Sequence, residues 1–72
     1  MRTESSTVKK VGERLKSIRS DNRLTQAEVA DAAGISTNYY ARIERGDTGI
    51  SMEIFEKVVK ALKVKSSDIL PF

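Results

Sequence analysis

The sequence predicts an all-α domain of five short helices in a compact arrangement. Two observations carry most of that reading. Apolar residues recur at steps of three and four in two long stretches, Val8, Val11, Leu15, Ile18 and later Ile54, Phe55, Val58, Val59, Leu62. Between them, residues 24–46 carry the start and stop signals of two further helices. No segment alternates with the period of a strand, and 72 residues make one small domain.

In chain order, residues 1–6 are polar and aperiodic and are expected to form a flexible arm, with Arg2 read as part of an idle terminus. The single domain then runs over residues 7–72, with Thr7 as cap of the first helix. Lys9, Lys10, Arg14 and Lys16 lie off its apolar stripe, and Asp21-Asn22-Arg23 closes it. Thr25 and Glu28 have the spacing of a capping box, which satisfies two otherwise unpaired N–H groups. Ala27, Ala30 and Ala33, with Val29, give the second helix a small inner side that lets another helix cross closely. Gly34 is placed to end it in a left-handed turn, Ile35 to plug the corner, and Ser36 to cap the third helix. That helix turns Tyr40 and Ile43 inward and stops at Gly46. Ser51 caps the fourth, whose outer side offers Glu53 and Lys57 as an i,i+4 pair. A fifth short helix is expected from Ser66, carrying Ile69 and Leu70 and stopped by Pro71.

Composition excludes several kinds of function. With no cysteine and no histidine, a disulfide framework, a thiolate or histidine metal centre, and Ser-His or Cys-His nucleophilic chemistry are all ruled out. The chain is therefore read as a non-enzyme without cofactor. No apolar run approaches the roughly 18 residues of a membrane span, so a cytoplasmic protein is expected. Net charge is only +3, but residues 1–45 hold nine Lys/Arg against six Asp/Glu while residues 46–72 are balanced at four against four. The whole excess lies in the half of the chain that contains the two short central helices, which agrees with a nucleic-acid partner without by itself arguing for one.

Two helices joined by so tight a glycine turn have the pattern of a helix-turn-helix, whose second helix enters the DNA major groove. The chain resembles the phage repressor and Cro-like (XRE-type) helix-turn-helix family in Leu24-Thr25-Gln26, Ala30, Gly34-Ile35-Ser36, Tyr39 and Ile43-Glu44-Arg45-Gly46. The likeness extends from about Val8 to Leu70, and in size and layout is similar to small controller proteins of restriction–modification systems. It implies a lambda-repressor-like fold acting on double-stranded DNA.

If Tyr40 and Ile43 face inward, the outward residues near the start of the third helix are Ser36, Thr37, Asn38 and Arg42. Arg42 has the fork that donates twice to guanine, Asn38 the amide that pairs with adenine, and Thr37 a methyl and hydroxyl for base edges. Ser36, Tyr39 and Arg45 are the candidates for phosphate contact. The resemblance adds Gln26, a glutamine that packs against the DNA backbone, and an ion pair between Arg19 and Glu44 that holds the recognition helix at its angle. Two positions depart from the family pattern. Arg23 stands where many members have glycine, so Asn22 or Arg23 must take a strained turn. Asp47-Thr48-Gly49 replaces a loop that commonly carries a lysine or arginine, which implies a gentler salt dependence of binding.

The expected function is a transcriptional regulator, repressor or autoregulator, binding a two-fold symmetric operator as a homodimer. One recognition helix reads too few base pairs to define a site, and two copies one helical turn apart solve that. Phe55, Ile69, Leu70 and Phe72 are the candidate dimer surface. No patch for contacting RNA polymerase is assignable. An antitoxin-like interaction module, whose main partner is another protein, stays open as an alternative, as does the DNA-binding piece of a longer regulator.

Overall fold

The computed structural model describes residues 3–70. Four α-helices follow one another, α1 (Thr3–Asp21), α2 (Gln26–Ala33), α3 (Thr37–Arg45) and α4 (Met52–Leu62), and a single 3-10 turn, Ser66–Asp68, closes the order. There are no strands among the described residues.

The expected fifth helix is thus a correction: it is one 3-10 turn. The Asp68 N–H donates to the Lys65 carbonyl at 2.9 Å, and the Asp68 carboxylate accepts the Lys65 N–H at 3.1 Å, so the segment folds back on itself over three residues. Before Pro71 there is no length for the i→i−4 ladder of an α-helix. The start of α1 also differs. Helix begins at Thr3, which places Thr7 inside it and takes in part of the expected arm. Extending a helix by a turn costs little once it is nucleated. Met1, Arg2, Pro71 and Phe72 lie outside the described residues.

The core is assembled from one stripe per helix. Val11 and Leu15 of α1, Val29, Ala30 and Ala33 of α2, Tyr40 and Ile43 of α3, and Phe55, Val58 and Leu62 of α4 are buried together with Ile69. On α2 the inward residues run Gln26, Val29, Ala30, Ala33, the period of a helix, which leaves Ala27 exposed rather than on the inner side. The outer face of α4 pairs Glu56 with Lys60 at 3.4 Å, in place of the expected Glu53–Lys57.

α1 packs on α3, while α2 packs on both α3 and α4. The α1–α3 crossing is possible because residue 12 is glycine. A Cβ there would sit 2.5 Å from the Ile43 carbonyl oxygen and 2.6 Å from that of Glu44, closer than any side chain tolerates. Gly12 therefore sets how near α3 lies to α1. Among the described residues, two non-glycine positions take left-handed backbone, Arg23 (φ 59°) at the end of α1 and Lys63 (φ 59°) after α4. Both are exposed.

Candidate nucleic-acid interface

The α2–turn–α3 unit is fixed from its own backbone outward. Thr25 donates its N–H to the Glu28 carboxylate at 2.7 Å and accepts the Glu28 N–H on its hydroxyl at 3.0 Å, closing the capping box. Gly34 turns left-handed (φ 73°), and the Ile35 N–H then reaches the Ala30 carbonyl at 2.9 Å. Ile35 is half-buried against the core. Ser36 caps α3 by accepting the Tyr39 N–H at 3.0 Å. With Tyr40 and Ile43 sunk in the core, Thr37, Asn38, Arg42 and Arg45 are left exposed. Asn38, Arg42 and Arg45 follow at steps of four and three, so they form one polar stripe down the outward side of α3. Tyr39 is half-buried and packs against the core.

Behind that stripe lies a buried polar network. Glu44 is the one buried charged residue among those described. Arg19 holds it as a fork, donating from Nε to Oε2 at 2.6 Å and from Nη2 to Oε1 at 3.2 Å. The remaining arm, Nη1, donates to the Leu24 carbonyl at 2.7 Å and so clasps the α1–α2 turn. Gln26 donates its amide to Glu44 Oε1 at 2.9 Å. Three elements, α1, the start of α2 and the end of α3, thus meet on one carboxylate. Burial works to raise the Glu44 carboxyl, but the hydrogen bonds from Arg19 and Gln26 outweigh it and hold the group below the ordinary carboxylate range. The same hydrogen bond to Glu44 keeps Arg19 above its already high value against the cost of burial. Beside the pair stands the buried Tyr40 hydroxyl, near enough to feel both charges yet without a partner of hydrogen-bonding geometry. Burial pushes its phenol well above the usual range.

The resemblance led to the Arg19–Glu44 pair, and the two side chains meet here. The Leu24 and Gln26 contacts had no sequence signal, because a hydrogen bond spanning 18 residues follows from helix crossing rather than from spacing. Gln26 keeps one amide hydrogen and its carbonyl for another partner. The Ser36 oxygen is used by its cap, which leaves the hydroxyl hydrogen free to donate. Arg45 is engaged by Asp47, Nε to Oδ2 at 2.8 Å, with both side chains half or more exposed.

The candidate dimer residues separate. Ile69 is fully buried in the core of its own chain and offers no surface, a correction to the expected set. Among the described residues after the closing turn, Ile69 is buried in the core and Leu70 packs partly against it. Phe55 is also a core residue, though its edge and Leu70 line an apolar groove of about 480 Å³ with Val8, Ile50 and Met52. Met52, at 77% exposure, is the most exposed large apolar side chain described. Phe72 lies outside the described residues.

A small helical domain presenting one helix with an arginine and amide stripe, its opposite face locked in the core, defines the helix-turn-helix class of DNA-binding domain. The helix-turn-helix family model matches residues 15–69. The chain is 40% identical over 60 residues to the immunity repressor protein of Bacillus phage phi105, which covers 83% of this chain and 42% of that protein. It is 35% identical over 60 residues to the antitoxin PezA of Streptococcus pneumoniae serotype 4, covering 83% of this chain and 38% of that protein. It spans, therefore, about two fifths of the length of these curated relatives. Among solved structures, the restriction-modification controller protein C.AhdI from Aeromonas hydrophila superposes with a TM-score of 0.87 at 26% identity, over 90% of this chain and 98% of that one. The chain belongs to the helix-turn-helix family of phage-repressor and Cro type, whose members are DNA-binding regulators of transcription.

Proposed function

We propose that the protein is a sequence-specific regulator that binds a two-fold symmetric operator as a homodimer. The observation that carries this reading is the exposed Asn38–Arg42–Arg45 stripe on a helix whose other face is locked by Tyr40, Ile43 and Glu44. A helix held on one side presents its other side rigidly, as base readout demands. In this assignment Thr37, Asn38 and Arg42 meet base edges, and Gln26, Ser36, Tyr39 and Arg45 meet phosphates. Gln26 stands in the first turn of α2, where free N–H groups and the positive dipole end already favour an anion. The groove beside Met52, Phe55 and Leu70 supports self-association through the face formed by α1, α4 and the chain end. Selection of bound duplexes from a random library tests the whole reading. A recovered palindrome with half-sites about one helical turn apart is the expected result. No enriched sequence at low salt would sink it.

A second reading, an antitoxin-like module whose main partner is another protein, draws on the likeness to PezA and on the same exposed groove. Light scattering on the purified chain separates the two. A dimer favours the self-sufficient regulator, and a monomer favours the module.

A further inference from the structure

We infer that Asp47 sets the affinity of this domain for DNA by holding Arg45 in an ion pair that competes with phosphate, an inference that rests on the operator-binding reading above. Arg45 lies on the outward stripe of α3 with Asn38 and Arg42, and its Nε is committed to Asp47 Oδ2 at 2.8 Å. The carboxylate is not there by chance of a floppy loop. Gly46 turns left-handed at φ 77°, its N–H reaching the Ile43 carbonyl at 3.1 Å, and the Asp47 N–H then reaches the Arg42 carbonyl at 3.0 Å. This double closure pins the backbone of residue 47 against the last turn of α3.

Helix stability gives no reason for an acid at that place. The C-terminal end of a helix carries the negative pole of its dipole, so a carboxylate there is unfavourable unless a cation answers it. Arg45 answers it, and its Nε is thereby occupied while the side chain stays exposed. A DNA backbone approaching this end of α3 meets a pair of zero net charge instead of a free guanidinium. While Nε stays on Asp47 a phosphate meets only the remaining Nη hydrogens, and full engagement of Arg45 leaves the carboxylate unpaired beside the phosphates. Both effects weaken binding uniformly across sequences, because neither touches a base edge.

The experiment is a double-mutant cycle on the full chain, using the selected operator duplex as probe and fluorescence anisotropy across a salt series. Circular dichroism first establishes that Asp47→Asn keeps the helices. Asp47→Asn is expected to tighten binding roughly five- to tenfold per dimer, the yield of freeing two exposed pairs. It also steepens the dependence of log K on log salt by about one to two ion contacts. In the Asp47→Asn background, Arg45→Ala should return affinity to the parental level or below, whereas in the parent the same change costs little. Unchanged affinity and slope in Asp47→Asn overturn the inference. So does a gain that survives Arg45→Ala, since it would mean simple removal of a negative charge. Failure of the unmodified chain to bind any duplex would strike at the operator reading instead, before the cycle begins.

Discussion

The clearest quantitative test of the architecture is the asymmetry between removing Arg19 and removing Glu44. The Glu44 side chain is 2% exposed and the Arg19 side chain 13%. Arg19→Ala leaves a carboxylate sealed in the interior with only the Gln26 amide to answer it. Breaking a buried pair in this way costs about 3–5 kcal/mol, because the charge stays behind unpaired. Glu44→Ala leaves a guanidinium that still donates to the Leu24 carbonyl and sits nearer the surface, so a loss of about 2 kcal/mol is expected. A domain of this length has a total stability of roughly 4–10 kcal/mol. Melting midpoints followed by circular dichroism should therefore fall by roughly 15–30 °C for Arg19→Ala and by about half as much for Glu44→Ala.

Acidity provides an independent check on the sign. In the parent the Glu44 carboxyl titrates below its unfolded value, so its stabilising contribution is present above about pH 4.3 and is lost as pH falls through the lowered folded value. In Arg19→Ala the largest restraining partner is gone and burial is opposed chiefly by the Gln26 amide, so the carboxyl rises relative to the parent and protonation relieves part of the strain. The gap between the two proteins should thus narrow on acidification. Equal losses for the two single variants, or midpoints within about 2 °C of the parent, would refute the account of Glu44 as a sealed charge held by Arg19.

Three further outcomes follow from named contacts. Tyr40→Phe deletes a buried hydroxyl without a partner, so chemical denaturation should show no loss and up to about 1 kcal/mol of gain at neutral pH. Because burial raises that phenol, the parent is also expected to lose stability from about pH 10 upward as the unfolded tyrosine ionises, and Tyr40→Phe should lack this component. Gly12→Ala reverses the usual gain of about 1 kcal/mol for alanine inside a helix. Its Cβ meets two backbone carbonyls of α3, so urea titration should show a net loss of about 1–3 kcal/mol. Arg42→Ala should weaken operator binding by about 1–3 kcal/mol per half-site and relax the preference at one base position in a repeat selection, while leaving the melting midpoint of this exposed site unchanged.

What the sequence made legible, and what it did not, divides along the range of the interactions. Thr25 with Glu28, Gly34, Ser36 and Gly46 are local signals, each acting within four residues, and each occupies its expected cap. The inward set Tyr40 and Ile43 is equally local, since helix period alone assigns it. Residues whose role depends on a second helix carried no such mark. Gly12 carried no signal in the sequence, and its role comes from α3 lying against it at backbone distance. Ile69 reads as a surface residue of a terminal helix until the chain folds back and buries it completely. Gln26 reads as a phosphate ligand, and only the crossing of α2 over the end of α3 brings its amide to Glu44. The side chain proposed to meet the DNA backbone is bonded to the carboxylate that locks α3, so in that proposal Gln26 joins the backbone contact to the angle of the reading helix. A site built this way gains its precision from the long-range crossings, while the local motif supplies the identity of its parts.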